Sequence, residues 1–205
     1  MDKKGLFITF EGADGCGKTT QINLVKEYFD KKNIKSFLTF EPGDCDIGIE
    51  LRKILLHHDG YISNVSELFM YLADRSQHCE TVILKNINQG INVLCDRYTD
   101  STVAYQGYAR NGNIEQIEYL NNVAIKGLEP DITFLLDIDS EIAQKRLGSE
   151  KDRLEKEGLE FHKKVRYGYL ELAKKYPKRI KVIDANLKIE EVFSQIKKIL
   201  DEYYD

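Results

Sequence analysis

The sequence predicts a three-layer α/β domain, a five-stranded parallel sheet flanked by helices, on three observations. Short apolar runs alternate with longer stretches of helical periodicity. Each stretch between runs is long enough for a crossover helix, so the strands can be parallel. No linker or internal repeat divides the 205 residues, so residues 1–205 are expected to form a single domain. The runs at 6–10, 36–40, 91–95, 132–136 and 180–183 read as the five strands. Among the helices, Val65, Leu68, Phe69, Leu72, Cys79, Ile83 and Ile87 mark one long amphipathic segment. Ile189, Val192, Phe193, Ile196, Ile199, Leu200 and Tyr203 mark another at the C-terminal end.

Composition narrows the class of function. An apolar fraction of 42% and a charged fraction of 31% are ordinary for a globular chain. The net charge of −4, with no basic tail, gives no electrostatic help in holding a nucleic-acid backbone. No segment approaches the ~20 apolar residues of a membrane span, and the stretch Leu6-Phe7-Ile8-Thr9-Phe10 is too short for a signal-peptide core. Cys16, Cys45, Cys79 and Cys95 are scattered, with no C-x-x-C pair and no metal spacing, as expected of reduced thiols in the cytoplasm. His57-His58 read as a solvated helix end, and His78 and His162 sit in no motif.

Immediately after the first run comes Gly12-Ala13-Asp14-Gly15-Cys16-Gly17-Lys18-Thr19, which matches G-x-x-x-x-G-K-[ST]. The glycines let the backbone curl so that successive N–H groups point inward at an anion. Lys18 brings a point charge to the β- and γ-phosphates of a nucleotide, and Thr19 offers a hydroxyl to Mg²⁺. A helix opening near Lys18 adds its positive end. The motif follows a strand and precedes a helix, as that mechanism requires, so the sheet is expected to be that of a P-loop NTPase. A nucleotide is therefore expected; the reaction is not yet specified.

Guanine-reading switches carry N-K-x-D, and no Asn here is followed by Lys. The third strand runs out into Asp96-Arg97-Tyr98. An acid at the carboxyl end of a central strand suits a magnesium shell. The neighbouring arginine suits a second phosphorylated ligand, because two anions brought within a few Å repel by several kcal/mol at intermediate dielectric. Between Gly148 and Gly158 lies a charged run with little to bury, read either as a solvated face or as a mobile lid.

These pieces together resemble the thymidylate kinase family in its bacterial branch. The resemblance rests on Phe10-Glu11-Gly12 through Thr19-Thr20-Gln21, Glu41-Pro42-Gly43, Ala73-Asp74-Arg75, Asp96-Arg97-Tyr98, Ala104-Tyr105-Gln106-Gly107 and Asp152-Arg153-Leu154-Glu155, in that order. It implies transfer of a phosphoryl group from ATP to dTMP, with Mg²⁺, in a homodimer.

The resemblance also implies roles. The loop from Gly12 to Thr20 and Arg146, on the adenine, would hold ATP. Asp14 would face the acceptor sugar, with an Asx turn as the alternative. Tyr71 and Arg75, four apart on one helix face, would stack on and hydrogen-bond the thymine, with a core-edge tyrosine and a solvated arginine as the alternative. Ser101, Thr102, Tyr105 and Gln106 would line the same pocket, Tyr105 disfavouring a ribose 2′-hydroxyl. Asp96 joins Thr19 at the metal. Arg97 would face the acceptor phosphate, Arg52 is a further pocket cation or a surface arginine, and Arg153 would be the catalytic lid arginine. The loop after the second strand departs from the family. It reads Phe40-Glu41-Pro42-Gly43-Asp44, where Arg-Glu-Pro-Gly-Gly is usual. Losing one charge-assisted hydrogen bond is worth ~1.5–3 kcal/mol, roughly 10–100-fold in kcat/KM. Weaker use of dTMP or a shifted acceptor is thus expected, with Arg52 or Arg97 the candidates to compensate. Two alternatives stay open: a kinase for another nucleoside monophosphate or a deoxynucleoside, and a non-catalytic nucleotide-binding regulator.

Overall fold

The computed structural model describes residues 4–148 and 152–204. Five parallel strands, β1 (Phe7–Glu11), β2 (Ser36–Phe40), β3 (Asn92–Asp96), β4 (Ile132–Asp137) and β5 (Ile180–Asp184), form one sheet in the order β2-β3-β1-β4-β5. Four of the strands run further than their apolar pattern predicts. β1, β3, β4 and β5 end on Glu11, Asp96, Asp137 and Asp184, and the ladder continues past the point where apolar residues stop. That carboxyl edge is where a parallel sheet presents its chemistry.

The crossovers are helical. α1 (Lys18–Lys31) links β1 to β2. α2 (Asp46–His57), α3 (Asn64–His78), a π-helical turn (Cys79–Ile83) and α4 (Leu84–Ile87) link β2 to β3. α5 (Thr99–Thr102), a second π-helical turn (Val103–Ala109) and α6 (Ile114–Ile125) precede β4. α7 (Ser140–Arg146) and α8 (Leu159–Lys175) precede β5, and α9 (Ile189–Tyr204) closes the chain. The long helix expected over 65–87 is thus one helical run widened by a π turn. Its stripe also splits: Leu72, Cys79, Ile83 and Ile87 are buried, while Val65 and Phe69 are exposed.

Both faces of the sheet are covered, as parallel sheets require. On one face Ile8, Phe10, Leu94 and Phe134 pack against Ile22, Val25 and Phe29 of α1 and Val192, Ile196 and Leu200 of α9. On the other, Phe7, Val93 and Cys95 meet Cys79, Ile83 and Tyr98, and Leu135 and Ile180 meet Val165, Tyr169 and Leu172 of α8. All four cysteines are buried and free. Among the described residues, no helix is long and apolar enough to cross a membrane. Of the expected lid at 148–158, residues 149, 150 and 151 lie outside the described residues.

Candidate active site

The turn after β1 opens into a cavity of about 1180 Å³. Gly15 has φ +81, and a Cβ there would lie 2.3 Å from Ala143 O, so only glycine lets the loop pass α7. α1 begins without a side-chain cap on its first amides, which leaves those donors at the cavity wall. Lys18 curls under the loop, its Nζ donating to Gly12 O (3.2 Å) and Ala13 O (3.3 Å). Asp14 through Thr20 line the cavity, with the Thr19 and Thr20 side chains exposed. Gly12 and Ala13 lie behind the wall as backbone acceptors.

Arg97 joins this loop to the end of β3. Its φ of +70 is uncommon outside glycine. The conformation is pinned from both sides, by Arg97 N donating to Phe10 O (2.9 Å) and Tyr98 N to Glu11 Oε1 (2.8 Å). The guanidinium pairs with Asp14 and donates to Gly12 O, Ser101 Oγ and Tyr169 OH, each at 3.1 Å. Tyr105 OH completes the cluster by donating to Asp14 Oδ2 at 2.7 Å. Burial raises the Asp14 pKa, but Arg97, Lys18 and the Tyr105 hydrogen bond outweigh it and bring the group to about 2. Asp14 is therefore a fixed anion at neutral pH.

Behind it, Glu11 receives hydrogen bonds from Ser101 Oγ (2.6 Å) and Tyr169 OH (3.0 Å). Burial and the nearby Asp100 carboxylate push Glu11 up from 4.5 to about 7, against the pull of Ser101 and Arg97. The folded chain keeps this proton to higher pH than the unfolded chain does. Glu11 therefore makes stability fall as pH rises from about 4.5 to about 7, with no further loss above. Glu11→Gln cannot ionise, so its melting temperature relative to wild type is expected to climb across that window and then level off. A difference that stays flat from pH 4.5 to 8 would contradict this.

Arg75, only 2% exposed, is a structural hub as well as a wall residue. Nε donates to Glu41 Oε2 (2.8 Å), Nη1 to Thr102 Oγ1 (2.6 Å) and Asn121 Oδ1 (2.7 Å), and Nη2 to Tyr98 O (2.9 Å). These account for four of its five N–H groups, so it is not the solvated arginine of the alternative reading. Glu41 also pairs with His78 Nδ1 (2.9 Å), whose Nε2 lies 2.6 Å from Thr39 Oγ1. His78, which sits in no motif, thus ties α3 to the end of β2. Tyr71, Ser101, Thr102, Tyr105 and Gln106 line the cavity beside Arg75. The π turn at Val103–Ala109 carries Tyr105 and Gln106 there, in keeping with the frequent use of such turns at functional sites.

The remaining candidates divide. Arg52 and Asp96 line the cavity, as does Arg146 at the far end, where its Nη1 donates to Ala185 O (3.3 Å). Asp44 does not line the cavity, and its carboxylate accepts from Thr39 Oγ1 at 2.5 Å. Arg153 does not line the cavity in this structure. Its backbone N donates to Leu56 O (3.1 Å) and its Nε to Leu55 O (2.8 Å). Its Nη2 lies 2.5 Å from Glu67 Oε2, an ion pair out of line for a hydrogen bond. Glu67, which is 1% exposed, also accepts from Gln106 Nε2 (2.8 Å) and faces Arg110 Nε at 3.5 Å. The charged run is also not wholly solvated, since Leu154 is buried in the same apolar cluster as Val103 and Val165.

A glycine cradle at one end and a cation-rimmed aromatic pocket at the other, sharing one loop, define a P-loop protein that handles two ligands together. Comparison with known proteins narrows the class. A thymidylate kinase family model matches residues 10–196. A thymidylate kinase of Thermoanaerobacter sp. (strain X514) is 45% identical over 201 residues, covering 98% of this chain and 99% of its own. One of Nostoc punctiforme is also 45% identical over 201 residues, with 96% and 95% covered. The crystal structure of thymidylate kinase from Ehrlichia chaffeensis superposes with a TM-score of 0.79 at 35% identity, covering 97% of this chain and 99% of that one. The chain belongs to the thymidylate kinase family.

Proposed function

We propose that the chain transfers the γ-phosphoryl group of ATP to dTMP, giving dTDP and ADP for dTTP synthesis. The observation that carries this reading is Asp14, a fixed anion within the phosphate loop itself. It is held by Arg97 and Tyr105 from the acceptor side, so the two ligand ends meet at one turn. An acceptor phosphomonoester has a second pKa of about 6 and is largely dianionic at pH 7. One of its oxygens can attack the γ-phosphorus while the bond to the β-phosphate oxygen breaks, with no general base. The protein's work is to position the groups and offset charge. Lys18 and the α1 amides serve the donor phosphates, and Arg146 the adenine. Arg52 and Arg97 serve the acceptor phosphate. Tyr71, Arg75, Ser101, Thr102 and Gln106 enclose the base, with Asp14 and Tyr105 at the sugar. Arg153 leaves Glu67 to join the transferring group when the lid closes.

Thr19 and Asp96 fit Mg²⁺. Asp96 Oδ1 is buried without a hydrogen-bond partner among the described residues, and the Thr19 side chain is exposed at the same cavity. Thr19 and Asp96 would hold the ion, which would supply positive charge to offset that of the donor phosphates.

The test is ADP release with ATP and magnesium across dTMP, dUMP, dCMP and deoxynucleosides. Release should require an acceptor and be fastest with dTMP. Release without acceptor, or faster release with another acceptor, would overturn the reading. The reading carries with it, as proposals, a cytoplasmic location and a homodimer. Support for the dimer is an exposed apolar stripe, with Val65 and Phe69 on α3 beside Tyr119 and Val123 on α6, and these two helices pack together. Light scattering is expected to give twice the chain mass for wild type and the single chain mass for Phe69→Asp. A wild-type monomer would sink the assignment.

A further inference from the structure

Three observations around the end of β2 converge on Arg52. Its guanidinium lies 5.2 Å from the ring centroid of Phe40, which is 40% exposed. Nη1 donates to Pro42 O at 2.6 Å. The stem passes over Gly43 (φ +118), where a Cβ would meet Arg52 Cδ at 2.7 Å, so the loop is shaped around this side chain. Arg52 also differs from Arg75 and Arg97 in its charge balance. Arg75 has Glu41 and Arg97 has Asp14, but among the described residues no carboxylate lies within ion-pair distance of Arg52. A guanidinium fixed by a ring and a carbonyl, uncompensated, and facing a cavity is built to receive an anion.

We propose that Phe40 is a positioning residue for the acceptor phosphate: its ring holds Arg52 in place by a cation–π contact, so that Arg52 meets the phosphomonoester. This rests on the proposed dTMP kinase reading. An aromatic residue at the end of β2 thus supplies by stacking what a cation there would supply by charge. Phe40 touches no reacting atom itself.

The experiment is a double-mutant cycle with two ligands. A cation–π contact at a partly exposed site is worth roughly 3- to 30-fold in binding. Phe40→Ala and Phe40→Leu are each expected to raise KM for dTMP by roughly that factor, with kcat and KM for ATP nearly unchanged. Phe40→Tyr, which keeps the ring, should restore the wild-type KM. In an Arg52→Met background, Phe40→Ala should add nothing. Calorimetric affinity for thymidine, which lacks the phosphate, should not change in any of these variants. Melting temperatures confirm that each one is folded. The proposal is overturned if Phe40→Leu matches wild type, if the loss persists without Arg52, or if thymidine affinity falls in step with dTMP. Failure of the kinase reading shows separately, as a wild-type protein that does not phosphorylate dTMP at all.

Discussion

Replacing Arg153 by alanine is expected to lower kcat for dTMP phosphorylation by at least ~10²-fold, by the measure of arginine fingers elsewhere. The phosphate loop makes this demand, because Gly12 through Thr19 contains no arginine and Lys18 is its one basic side chain. Arg75 and Arg97 are held by carboxylates, and Arg52 and Arg146 are assigned above to the acceptor phosphate and the adenine, so Arg153 is the guanidinium proposed for the transferring group. In the structure Arg153 rests on Glu67 and on the last turn of α2, at the rim of the acceptor pocket. Closure would carry it to the γ-phosphate and exclude the water that would otherwise hydrolyse ATP. The purely structural role, an anchor for the turn, predicts something else: a lower melting temperature with kcat near wild type. Steady-state kinetics and a thermal melt on the same preparation separate the two, and a near-normal kcat would remove Arg153 from the chemistry.

Arg75→Met is expected to destabilise the fold by ~3–5 kcal/mol, because it leaves one partner of a buried ion pair behind. Glu41, buried at the end of β2, would retain only His78, and Thr102, Asn121 and the Tyr98 carbonyl would each lose a donor. Lysine has no planar fork and cannot replace contacts running in four directions, so Arg75→Lys is expected to lose stability as well. Urea unfolding measures the change. A loss below ~1 kcal/mol, with dTMP binding abolished, would show that the guanidinium serves the nucleotide alone and that the network around it contributes little.

How much of this was legible in the sequence follows from the range of each interaction. The centre of the sheet was readable because strands buried on both faces, as β1, β3 and β4 are, are mostly apolar, and their acidic last residues were hidden by that rule. The phosphate loop was readable because its chemistry is written in eight consecutive residues. Departures arise where partners are distant in the chain. Tyr169 reaches Arg97 across 72 positions, and His78 reaches Glu41 across 37. Neither position carries a local pattern. A usable signal did exist for Glu11: an acid at the carboxyl end of a strand whose other residues are Phe7, Ile8, Thr9 and Phe10. Arg153 was identified as a candidate, but its resting partner Glu67 lies 86 residues earlier on α3, and no spacing rule links a lid to a helix. The π turn that aims Tyr105 and Gln106 was likewise not read, because no apolar stripe marks residues 99–109.

The claim beneath all of this is that donor and acceptor meet over one glycine turn and exchange a phosphoryl group directly. Incubating the protein with magnesium, dTMP and ATP labelled at the γ-phosphate tests it. The label is expected in dTDP, one equivalent for each ADP formed, with almost none in inorganic phosphate. Label accumulating as inorganic phosphate while dTMP stays unconverted would contradict it.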